Sequence, residues 1–310
     1  MINFPIADGH CDFLYGAMEH GYDMGSQRGE QVTTLKHLHG GNVALQCFAV
    51  WTDDKLKTPP MLQAMTQIDA YHRMLAKYAD LLVPFTRDFV PKSDKIATVL
   101  TVEGAECLCG SKAALRDFYR LGVRSLAFTW NNDNELACAA DGKRQRGLSA
   151  LGREILNEMN ALGMALDVSH LADAGIDDAL RLSSLPIYAS HSNARTLCPA
   201  ARCLKDEHIR AIADGGGVVG VNFYGPQLCG DKSSCIQDIV RHITHIVGVG
   251  GINACCIGSD FDGMTAYPRN LKNALDFSRL CRTLLDSGFC ESDVKKISYE
   301  NLATYLSHFV

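Results

Sequence analysis

GLSALGREILNEMNALGMALDVSH, residues 147–170, carries two patterns in succession. In its first part apolar residues recur at three- and four-residue spacing, which buries one face of a helix, and the pattern stops at Gly163, a residue suited to a helix C-terminus. Its second part, GMALDVSH (163–170), is an apolar run of strand length that ends on a histidine. A helix leading into a short buried strand is the repeating unit of a parallel sheet wrapped by helices.

Working outward, seven further runs of this strand type lie at 5–12, 42–51, 95–104, 123–130, 186–193, 216–225 and 254–263. Between them are helical stretches such as 59–82, opened by a proline pair, and 271–289, which stops at Gly288. Eight βα units predict the α/β class and, as one domain over 1–310, a closed (β/α)₈ TIM barrel or a wide open sheet. No G-x-G-x-x-G or P-loop follows any strand, which removes the usual reason to prefer a nucleotide-binding open sheet. The last helix, 292–309, is predicted to pack across one end of the barrel.

Composition narrows the function classes. A net charge of −5 leaves no basic surplus for a phosphate backbone, so nucleic acid is excluded as a partner. MINFPIADGH at residues 1–10 has neither a charged leader nor an apolar core, and no apolar run reaches the roughly 18 residues of a membrane span. The expectation is a cytoplasmic protein with no membrane partner. The 13 cysteines read as reduced thiols, with Cys47, Cys255 and Cys256 serving as small core hydrophobes. Cys107 and Cys109 form a C-x-C with no second pair at zinc-ribbon spacing.

The chemistry gathers at the strand ends. His10 and Asp12 close the first strand two residues apart, a spacing that aims both side chains to one side. Glu103 closes the third, His170 the fifth and His191 the sixth, and Asp260 lies near the end of the eighth. Singly, each has an ordinary reading as a solvated or hydrogen-bonded strand end. Together they converge on the C-terminal mouth of the barrel, where such enzymes place their sites, and predict a metal centre. Nitrogen and oxygen donors without thiolate suit zinc, with manganese or iron as alternatives. Five ligands exceed the need of one tetrahedral ion. A carboxylate such as Glu103 can bridge two ions about 3.5–4 Å apart, leaving a shared water as nucleophile.

The motifs ADGHCD (7–12), TVEGAE (101–106), the 147–170 stretch, PIYASHSNAR (186–195), GVNFY (220–224) and GSDFDG (258–263) resemble those of the membrane dipeptidase (renal dipeptidase) family, zinc peptidase family M19, among the amidohydrolase-type barrels. The resemblance covers nearly the whole chain. It implies two zinc ions per chain, one on His10 and Asp12, the other on His170 and His191, with Glu103 bridging them. It also implies that Asp260 shuttles protons, that Arg202 holds the terminal carboxylate of a dipeptide and that Tyr224 faces the substrate. A homodimer is implied only in this way.

At Trp130 the chain departs from the mammalian members, which carry a substrate-contacting histidine there. An indole offers one hydrogen-bond donor and a flat apolar wall but no acid or base. Mammalian substrate preferences, β-lactam hydrolysis included, therefore do not transfer, and neither does their lipid anchor, since the chain ends YLSHFV. A binuclear amidohydrolase of another small amide, lactam, lactone or ester is the alternative. His242 and His245, like His37 and His39, read as helix packing or surface, and Asp262 as either a structural hydrogen-bond partner or an orienting group behind the ligands.

Overall fold

The computed structural model describes residues 4–91 and 94–310; the first three residues of the MINFPIADGH stretch lie outside the described residues. Its strands are β1 (Ile6–Asp8), β2 (Val43–Trp51), β3 (Leu82–Pro84), β4 (Ile96–Glu103), β5 (Val123–Ala127), β6 (Ala165–Asp167), β7 (Val219–Val221) and β8 (Cys255–Ile257). They form a parallel sheet in the order β6-β5-β4-β2-β1-β8-β7, with β3 alongside the first residues of β4.

The open ends of this order meet through residues 188–189. Tyr188 bridges Asp167 and Ala189 bridges Val219, both parallel, so the sixth predicted strand closes the barrel with two residues. Pairing ends there because the next amide, Ser190 N, donates to the Asp167 side chain (3.0 Å) instead of to a ladder partner. Closure also needs glycine: a Cβ on Gly220 or Gly258 would stand 2.0 or 1.9 Å from the Ser190 carbonyl oxygen. The architecture is thus the predicted α/β barrel, with strands shorter than their apolar runs.

The 147–170 stretch folds as read. Ser149 caps the helix Ala150–Leu162 by accepting from Gly152 N, and Gly163 ends it in the left-handed region at φ 69°. The predicted helix 59–82 stops earlier, at Lys77, and its last apolar residues turn into β3. Short apolar runs serve helix or strand equally, and here the free edge of β4 decided.

Apolar faces of the strands and helices meet in a core that includes Phe48, Leu100, Ile155 and Ile243. A second cluster joins Ala7, Leu45, Cys47, Tyr188 and Cys256 to Leu302 and Tyr305 of the C-terminal segment. That segment crosses the N-terminal end of the barrel, where Asn301 Nδ2 donates to the Ile252 and Cys255 carbonyls and the Tyr305 hydroxyl to that of Pro186.

Asp8 is fully buried, and its carboxylate accepts from Ser259 N (2.8 Å), Ser259 Oγ (2.6 Å) and Gln46 Nε2 (3.0 Å), tying β1 to β2 and to the turn after β8. Asp8→Ala leaves these buried donors without an acceptor. The expected loss is about 2–5 kcal/mol in chemical denaturation, against less than about 1 kcal/mol if water replaces the carboxylate.

Candidate active site

Most of the chemistry-bearing side chains stand on backbone that has just left the sheet. β1 ends at Asp8, and Asp12 opens the helix Phe13–Glu19 at φ −99°, ψ 23°. Beyond Asp8 only the single parallel bridge of Cys11 with Phe261 continues the pairing, so strand periodicity does not by itself align His10 with Asp12. A strand-to-helix turn does, bringing His10 Nε2 to 3.4 Å from Asp12 Oδ2. His170 and Asp260 take left-handed φ values of 68° and 64°, a conformation that costs a non-glycine residue about 1–3 kcal/mol and persists only where neighbours hold it. For His170 those neighbours are Ala140 N and Thr129 Oγ1, which donate to its carbonyl at 2.7 and 3.0 Å. Glu103 alone remains in register, paired with Trp51 and Ala127.

The structure brings all six side chains together. Glu103 Oε1 lies 2.9 Å from His170 Nε2 and 3.2 Å from His191 Nε2, while Glu103 Oε2 lies 3.6 Å from His10 Nε2. One ligand atom each from His10, Glu103 and His191, and one each from His10, Asp12 and Asp260, fall within 4.8 Å of one another. Burial, reinforced by the nearby Arg202 guanidinium, pulls His170 down to about 4, and burial with His10 beside it holds His191 well below its usual value. Both imidazoles are thus neutral near pH 7, the form that binds metal. Burial opposes charge on Glu103 as well, but His10 beside it outweighs burial and holds the carboxyl well below its usual value.

Two observations test whether this set fits a cation. His170 Nδ1 lies 2.8 Å from Asn131 Oδ1, an acceptor, so a neutral His170 turns an unprotonated Nε2 toward Glu103 Oε1 and toward His191 Nε2 at 3.1 Å. Lone pairs crowded at that distance repel unless a proton or a cation lies between them. His10 Nε2 and Asp12 Oδ1 are, in addition, buried without a hydrogen-bond partner. Such orphans are rare in folded proteins and mark a missing ion or water. The donor set fits divalent cations.

Comparison with known proteins adds the lineage. The family model described as membrane dipeptidase, peptidase family M19, matches residues 1–307. The chain belongs to that family. An uncharacterized dipeptidase of Schizosaccharomyces pombe is 34% identical over 82% of this chain, and the match spans 66% of the yeast protein's own length. Dipeptidase AC, a family M19 metallopeptidase of known structure, superposes with a TM-score of 0.91 at 26% identity over 99% of both chains. A Rhodobacter sphaeroides metallopeptidase, solved with a phosphinate mimic of L-Ala-D-Ala, shares the fold at a TM-score of 0.90 and 24% identity over the full length of both.

In this M19 chain a cavity of about 490 Å³ opens above the cluster, and Arg202, Tyr224 and Trp130 all line it. That volume is in the usual range for small-ligand sites. Arg202 is 4% exposed, donates only long bonds to Ser192 Oγ (3.5 Å) and the His191 carbonyl (3.3 Å), and leaves Nε unpaired. None of the described carboxylates forms an ion pair with it. Asp260 accepts from Asn222 Nδ2 (3.0 Å), and burial together with the Asp12 and Glu103 carboxylates raises it to about 7; bound cations would lower it again.

Asp262 turns elsewhere. It accepts from Val32 N (2.8 Å) and Thr33 N (3.1 Å), the structural reading of that residue, and so pins a segment 230 residues away in sequence. His242 is a packing residue, its ring bonded to Ala194 N and to the Leu228 carbonyl. Asn131 and Asn222 escaped sequence reading, although both sit within two residues of Trp130 or Tyr224. An asparagine in a polar loop gives no signal until the group it holds is visible.

Proposed function

We propose that this chain is a zinc-dependent dipeptidase, with His10 and Asp12 holding one ion, His170 and His191 the other, and Glu103 shared between them. The observation that carries the dipeptide reading is Arg202, a buried guanidinium with no ion-pair partner among the described residues, in the same cavity as the carboxylate and imidazole cluster. Leaving a charge buried and unpaired is costly, so its place calls for an anionic group supplied by a ligand. The C-terminal carboxylate of a short peptide fits the planar fork of arginine.

When bound, divalent ions in this cluster supply Lewis acidity to the scissile carbonyl and to water. The rest is done by the chain. Arg202 fixes the substrate carboxylate and so sets how far the scissile bond reaches over the cluster. Asp260, steadied by Asn222, accepts a proton from the attacking water and delivers it to the departing amine nitrogen. Tyr224 borders the substrate on the Arg202 side.

Metal analysis joined to a panel of dipeptides with L and D C-terminal residues tests the reading. The expected result is bound zinc, turnover of part of the panel, loss of turnover on chelation and recovery on adding zinc. A metal-replete preparation that cleaves no dipeptide sinks it. Equal rates on free and amidated C-termini would favour the second reading, another small amide, lactam, lactone or ester, which the indole of Trp130 also suits.

A further inference from the structure

The cavity has two chemically different halves. The barrel order puts Arg202 and Tyr224 beside the Tyr188–Ala189 segment and β7, and puts β5, β4, β2 and β1 on the other half. That other half presents an aromatic wall. Tyr15 and Trp51 meet edge to face with ring centroids 4.8 Å apart, and Trp51 meets Trp130 the same way at 4.9 Å. Trp51 and Trp130 are the chain's two tryptophans, and both line this cavity.

The wall is fixed from behind. Trp51 N donates to Gln67 Oε1 (3.2 Å) and Gln67 Nε2 donates to the Trp51 carbonyl (2.6 Å), with Gln67 fully buried on the helix Pro60–Lys77. The Tyr15 hydroxyl donates to Asp53 (3.2 Å). Trp130 leans toward His170, with centroids 6.3 Å apart. Rings held in this way present a rigid, angular aromatic surface that loses little entropy when a ligand packs on it.

We infer that this wall is the subsite for the N-terminal side chain of the dipeptide and that it selects large apolar side chains, aromatic or branched aliphatic. The inference rests on the dipeptidase reading. A dipeptide has one residue on each side of its scissile bond. With the carboxylate at Arg202 and the bond over the metal cluster, the N-terminal residue extends to the opposite half. Asp141 also lines the cavity, exposed at its rim, and would draw a cationic side chain if charge outweighed the wall.

The test holds the C-terminal residue constant and compares Phe-Ala, Leu-Ala, Gly-Ala and Lys-Ala. Phe-Ala and Leu-Ala are expected to exceed Gly-Ala in kcat/KM by about ten- to a hundredfold, the range that a hydrophobic pocket yields for a side chain of this size. Trp51→Ala should collapse the Phe-Ala to Gly-Ala ratio by about tenfold or more, and Trp51→Phe should keep most of it. In Asp260→Asn protein, tryptophan emission should shift on adding Phe-Ala more than on adding Gly-Ala, a readout that needs no turnover. A ratio near one, a ratio that Trp51→Ala leaves unmoved, or Lys-Ala as the best substrate overturns the wall's role. Failure of the whole panel with metal bound overturns the dipeptidase reading instead.

Discussion

Asp260→Asn is expected to lower kcat on the best dipeptide about a thousandfold while bound metal stays at the wild-type level. Asparagine keeps the shape of aspartate. Because Asn222 Nδ2 already donates to Oδ2, the variant's amide oxygen stays on Asn222 and its NH₂ faces the ligand side, where it can donate but cannot accept a proton from water. The metal donors named above are untouched, so elemental analysis should give the same stoichiometry. Unchanged turnover at full metal occupancy would remove Asp260 from the mechanism and leave the cluster without its base.

Arg202→Met is the second large effect. Methionine approximates the apolar stem and deletes the charge. kcat/KM for free dipeptides should fall about a hundred- to a thousandfold, the scale of a charge-assisted pair in a desolvated site. An amidated dipeptide should be cleaved at similar rates by both proteins. Stability separates this role from a structural one. Arg202 is buried and bound by only two long hydrogen bonds, and burial already disfavours its charged form. Its removal should leave Tm unchanged or raised. A drop of several degrees with specificity intact would make it a structural residue.

Much of this site is legible in the sequence because catalytic residue types recur at one place in a repeating pattern. His10, Glu103, His191 and Asp260 each follow an apolar run, and position at a strand end is carried by local sequence. What failed was local geometry. The period of two was an incomplete reason for pairing His10 with Asp12, since the continuous strand ends at Asp8, a single parallel bridge from Cys11 to Phe261 follows it, and a helix start places Asp12. The sixth strand shrank to two residues because Asp167, on a neighbouring strand, captures the Ser190 amide. β3 was missed because an apolar run after a long helix reads as more helix until an edge is there to pair with it.

By itself the sequence determined the βα repeat, the closed parallel barrel and the residue types at its mouth, since hydrophobic periodicity and spacing are local properties of the chain. Only the tertiary structure decided which groups hold those residues and what faces them. The Asn131–His170 and Asn222–Asp260 pairs join residues 39 and 38 positions apart, and Asp262 reaches back 230 positions to the Val32 amide. Whether Arg202 is a surface cation or a buried charge awaiting an anion, and whether Trp51 and Trp130 form one wall, likewise depends on burial and on contacts between distant strands, which local pattern does not encode.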